Sequence, residues 1–246
     1  MLPGRRWWGR LSLLSLDGPA FVLLAWAAGG GASTSAWRDA VLSSSLVWAG
    51  YVVERWSDAK VRPSESSPRH RFAARHLGIL LGFAGLVAAA ALVAGARLPV
   101  MAKGGEDWPG GAVAACVAGV FVFREEAASW APRTLCVTFF MAAMAAWGLS
   151  PPSSLLAVAA LALSNLSAIR QAESAQGGDG RKMSAVAAAM AAACLLLHPS
   201  PLTAACLAGS LACLFLGRTA RGLPDGRRSL VDAAPFVPLA LAAVSA

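Results

Sequence analysis

Two polar stretches stand out in a chain that is otherwise mostly hydrocarbon. One is Tyr51-Val-Val-Glu54-Arg55-Trp56-Ser57-Asp58, and the other is Arg69-His70-Arg71-Phe72-Ala73-Ala74-Arg75-His76. Glu54 and Asp58 are four residues apart, so on a helix their carboxylates stack one turn apart on one face, close enough to share a divalent cation. The plainer alternative is that the two acids end an apolar helix at the membrane interface, with Asp58 paired to Arg62 in a solvated contact of little weight.

The elements that hold these residues follow from composition. Of the 246 residues 57% are hydrophobic and only 14% charged, more apolar surface than a soluble domain of this length can bury. The fold class expected is all-α: a polytopic membrane protein, one domain over 1–246, with about nine transmembrane helices bundled around a central cavity. The apolar stretches are 17–34, 38–56, 77–96, 108–123, 131–149, 151–169, 183–198, 200–217 and 230–246. Pro151-Pro152 and His198-Pro-Ser-Pro201 mark tight hairpins, since Pro ends a helix.

Charge distribution tests this count. With the N-terminus inside, all but Arg38, Arg97 and Lys103 of the 21 Lys and Arg residues fall in cytoplasmic segments. The expected topology is therefore N-terminus in and C-terminus out, in the inner membrane of a bacterium. The net charge of +8 is spread over five loops, as juxtamembrane residues beside anionic lipid are, and gives no reason to expect a nucleic-acid partner. Arg5 and Arg6 ahead of an apolar run could belong to a secretory signal, but Trp7-Trp8 as an interfacial anchor and Asp17-Gly-Pro19 as a helix start favour a retained first helix. The five cysteines, at 116, 136, 194, 206 and 213, form neither a CxxC nor a Cys/His set and read as packing residues. Glu125 and Glu126 read as loop acids, and Asp232 as part of a capping box beginning at Ser229.

Taken together, these residues resemble the UbiA-type intramembrane prenyltransferases. The family's loop after helix 2 reads Asn-Asp-x-x-Asp-x-x-x-Asp; here Gly50 and Tyr51 stand at its first two positions, and Glu54 and Asp58 at its last two. The segment is also similar to a divergent branch with Tyr-x-x-Asp-Arg-x-x-Asp followed by an Arg-His-x-Phe-like stretch. The family's second acidic motif follows helix 6, and in that register stand Asn165, Ile169 and Glu173, with Asp179 further on.

The resemblance implies Mg²⁺ held by Glu54, Asp58 and Glu173, and an isoprenyl diphosphate ionised at its C–O bond. The resulting prenyl cation is transferred to a lipid-soluble acceptor or cyclised. Arg55, Arg69, Arg71 and Arg75 would neutralise the diphosphate, guanidinium matching phosphate oxygens two at a time. Tyr51, beside Trp48, would face the carbocation, and Asn165 would contact substrate. Each residue has an alternative: the arginines as a positive-inside signal, Trp48 and Tyr51 as an aromatic belt, Glu173 as a loop residue. The competing function is a non-catalytic or transport membrane protein on the same scaffold.

Overall fold

The computed structural model describes residues 14–30, 36–61, 68–96, 130–145, 152–173, 178–219, 231 and 233–245. Among them are eight helices and no strand: α1 (Asp17–Ala28), α2 (Ala36–Val61), α3 (Pro68–Val93), α4 (Trp130–Ala145), α5 (Pro152–Glu173), α6 (Gly178–Leu197), α7 (Pro201–Thr219) and α8 (Phe236–Ser245). Each coincides with one expected apolar stretch. The remaining stretch, 108–123, lies outside the described residues, as do Trp7, Trp8, Arg62, Cys116, Glu125, Glu126 and the Ser229 to Asp232 capping box.

Several boundaries differ from the expected ones, among them the end of α1 at Ala28 and not 34 and the start of α6 at Gly178 and not 183, and two of them move the polar segments. Helix α2 continues to Val61, past the expected end at 56, and α3 begins at Pro68 and not at 77. The apolar window marks where hydrocarbon ends, whereas a helix runs on until a breaker stops it. Pro63 and Pro68 bracket the connection, and Pro68 takes the first helical position, where its missing N–H costs nothing. Arg69, Arg71 and Arg75 consequently stand on helix and not in a loop. The α3 backbone leaves helical geometry at His76 (φ −119°, ψ 20°), whose ring stacks on Phe72 with centroids 4.3 Å apart.

Helix α5 is the centre of the bundle, packed against α4, α6 and α7, and α8 closes the circle by bridging α7 and α1. Small residues set the spacing. Gly209, Cys213 and Gly217 recur every four residues on α7, and a Cβ on Gly217 would lie 3.2 Å from the Cα and Cβ of Ala168 on α5. Close approach of this kind drives helix association where no water remains to be expelled. At the α6–α7 turn Ser200 and Thr203 form a reciprocal cap: each side-chain oxygen accepts the other's backbone N–H, at 3.0 and 3.2 Å, with Pro201 at the first helical position between them.

Helix α1 is part of the core. Phe21, Val22 and Ala25 are buried with residues of α2, α4 and α8, and Ser44 Oγ of α2 donates to the Pro19 carbonyl at 3.2 Å.

The outside of the bundle carries large apolar side chains, and its mostly apolar core also takes in serines. Ser43, Ser164, Ser167, Ser184 and Ser210 are buried, while Leu86 is 66% and Leu196 85% exposed. Two helical segments are long and apolar enough to cross a membrane: Arg69–Val93, of mean hydropathy 2.2, and Gly180–Leu197, of mean hydropathy 1.4.

Candidate functional site

Helices α1 and α8 begin, and α2 and α5 end, at the same end of the bundle, the one rich in basic residues. There a cavity of about 30 Å³ opens between Asp17 and Phe21 of α1, Tyr51 of α2, Met141 of α4, Asn165 of α5 and Phe236 at the start of α8. Water needs some 10–15 Å³ by this measure, so the space takes two or three molecules. The Asn165 side-chain oxygen is buried without a protein partner. Tyr51 and Asn165, which stand in the registers of the family's first and second acidic motifs, thus border one cavity.

Beside it lies a buried ion pair. Arg55, 4% exposed, reaches from α2 to the turn that opens α1, where its Nη2 donates to both carboxylate oxygens of Asp17, at 2.8 and 3.1 Å, and its Nη1 to Ser15 Oγ at 2.8 Å. The guanidinium also lies 5.4 Å from the centre of the Tyr51 ring. Trp48, one turn earlier on α2, donates its indole N–H to the Leu14 carbonyl at 2.9 Å. The start of α1 and the turn before it are thereby tied to α2 at Leu14, Ser15 and Asp17. Gly18 lets the Tyr51 ring lie this close, since a Cβ there would come within 3.2 Å of the ring's Cδ2.

Glu54 and Asp58 follow Tyr51 by three and seven residues, so the three share a stripe that runs roughly 10 Å from the cavity toward the end of α2. Both acids are half-buried, and neither lines the cavity. Asp58 Oδ2 lies 4.0 Å from His70 Nε2 of α3. Arg69 is half-buried, and Arg71 and Arg75 are exposed on the first turns of α3. On α5, Asn165 and Ile169 line the cavity, and Glu173 ends the helix two turns beyond Asn165; its side chain is outside the described residues. Among the described residues no three His, Cys, Asp or Glu side chains are gathered as a metal site. Cys136, Cys194, Cys206 and Cys213 are free thiols, the last three buried.

Sequence reasoning treated Asp17 as a helix start and left its charge unassigned. The signal was present: an acid within an apolar segment calls for a partner inside the bundle. It also passed over Gln171, fully buried on α5, whose amide nitrogen donates to Ser184 Oγ of α6 at 3.1 Å. Comparison with protein-family models, curated proteins and solved structures finds no match to this chain.

Proposed function

We propose that this chain is an integral inner-membrane protein of nine spans, N-terminus inside, that carries out UbiA-type chemistry on an isoprenyl diphosphate. The observation that carries the reading is the meeting of Tyr51 and Asn165 on one cavity at the basic end. Membrane integration draws support from the large apolar side chains exposed on the outside of the bundle and from two apolar helical segments of span length.

Glu54 and Asp58, a turn apart and half-buried at the basic end, fit a Mg²⁺ site of the two-carboxylate kind that leaves the remaining positions to water and phosphate. The resemblance adds Glu173, the last residue of α5, as a third ligand. When bound, Mg²⁺ supplies neutralising charge to a diphosphate leaving group. Arg69, Arg71 and Arg75 fall within the first two turns of α3, where His70 lies near Asp58, and would bind the diphosphate oxygens. In the cavity, Phe21 and Phe236 offer aromatic groups to a developing prenyl cation. The Tyr51 ring already has Arg55 as its cationic partner.

A second reading, a helical scaffold without chemistry, is favoured by the size of the cavity. At about 30 Å³ it falls far below the 300 Å³ or so at which small-molecule pockets begin. Glu54→Gln and Asp58→Asn separate the two. The enzyme reading expects each to abolish Mg²⁺-dependent binding of an isoprenyl diphosphate, while stability in detergent changes by less than about 0.5 kcal/mol, as for surface positions. Equal losses of stability with affinity unchanged would assign both acids to helix termination.

A further inference from the structure

The outer edge of a guanidinium, its two Nη atoms, is the edge that receives a pair of phosphate oxygens. In Arg55 that edge is filled by three oxygens from one short turn: Ser15 Oγ on Nη1, and both carboxylate oxygens of Asp17 on Nη2. The turn holds these oxygens much as one face of a phosphate would. Arg55 follows the cavity-lining Tyr51 by one helical turn, and Asp17 itself lines the cavity.

The backbone of that turn is strained. Ser15 has φ +61°, the left-handed region that a side chain with a Cβ avoids, and it is fully buried. Such a residue keeps its conformation only when its surroundings over-determine it. Here the surroundings are the Arg55 and Trp48 side chains of α2, which hold Ser15 and Leu14. Removing Arg55 from the turn would therefore release both the Asp17 carboxylate and the strain at Ser15.

We infer that Arg55 is an oxyanion subsite, and that the Ser15 to Asp17 turn is a latch occupying it in the absence of ligand. The inference rests on the reading of this end as a diphosphate site and adds how that site is held closed. A diphosphate exchanges with Asp17 on Arg55, the start of α1 loosens from α2, and the small cavity behind Asp17 opens. A carboxylate that merely stabilised the site would support ligand binding; one that acts as a latch competes with it. The two roles predict opposite signs.

The test is the binding of inorganic diphosphate, by calorimetry in detergent micelles, to the parent chain and to Asp17→Asn, Ser15→Ala and Arg55→Gln. Asp17→Asn is expected to tighten binding at least about tenfold, the gain when a competent state populated at ten per cent or less becomes dominant. Ser15→Ala removes the oxygen on Nη1, and with it one of the contacts that hold the strained turn, but leaves the Asp17 carboxylate on Nη2, so it is expected to tighten binding by a smaller factor. It carries the test on its own should Asp17→Asn fail to fold. Arg55→Gln is expected to weaken binding. If the parent binds diphosphate and the Asp17 and Ser15 variants bind it equally or more weakly, the latch is overturned and the diphosphate reading stands. If none of the folded chains binds diphosphate, both fall together.

Discussion

Replacing Arg55 with Met removes the charge that holds α1 on α2 while keeping a side chain of similar length. Arg55 makes three hydrogen bonds to the α1 turn, two of them to a carboxylate. Adding them singly would overstate the loss, because the larger effect is the charge left behind. With Arg55 gone, the Asp17 carboxylate, 15% exposed, has lost the cation facing it. Breaking a buried pair from one side costs about 3–5 kcal/mol, and the cavity beside Asp17 admits water, so about 3 kcal/mol is expected. Asp17→Asn leaves an amide oxygen that still accepts from Nη2, and about 2 kcal/mol is expected there. The double variant removes both charges and should recover most of the loss, giving a coupling energy of at least about 2 kcal/mol. The assay is unfolding in mixed micelles on addition of a denaturing detergent, followed by tryptophan fluorescence. An Arg55→Met variant within about 0.5 kcal/mol of the parent, or a double variant showing the plain sum of the single losses, would refute the reasoning.

Glycine positions give an internal control on packing. Gly180→Ala puts a Cβ 2.9 Å from both Gln171 Cγ and the Ser167 carbonyl, and should cost about 1–3 kcal/mol in the same assay, whereas Gly82→Ala meets nothing within 4 Å and should be neutral or stabilising by up to about 1 kcal/mol. For topology, a reporter fused after Ala246 should be extracytoplasmic and one inserted near Gly177 cytoplasmic, and a cytoplasmic C-terminus would refute nine spans by parity.

Much of the helical layout was legible because apolar runs and prolines are local signals. The hairpin at His198 to Pro201 is an example: Pro199 follows the end of one pattern and Ser200 with Thr203 starts the next, all within five residues. The ends of α2 and α3 were not, since a hydropathy window registers hydrocarbon and cannot see a helix continue through Glu54, Arg55, Asp58 and Arg69. For the site, the register of Tyr51 with Asn165 came from motif spacing, and both border the cavity. The Asp17 to Arg55 pair joins residues 38 apart, and nothing local marks which of several arginines an acid beside an apolar run will choose. The left-handed Ser15 was equally hidden, because it is imposed by side chains of α2 and contradicts its own residue's preference.

Turnover of an isoprenyl diphosphate is the deciding measurement. Purified protein is incubated with radiolabelled isoprenyl diphosphates of several chain lengths and a membrane lipid extract, with and without Mg²⁺. The account predicts release of inorganic diphosphate and a labelled lipid-soluble product only when Mg²⁺ is present, both lost in Glu54→Gln and Asp58→Asn. Folded parent protein that leaves every substrate intact, or that turns one over equally well without Mg²⁺ or without these carboxylates, would contradict it.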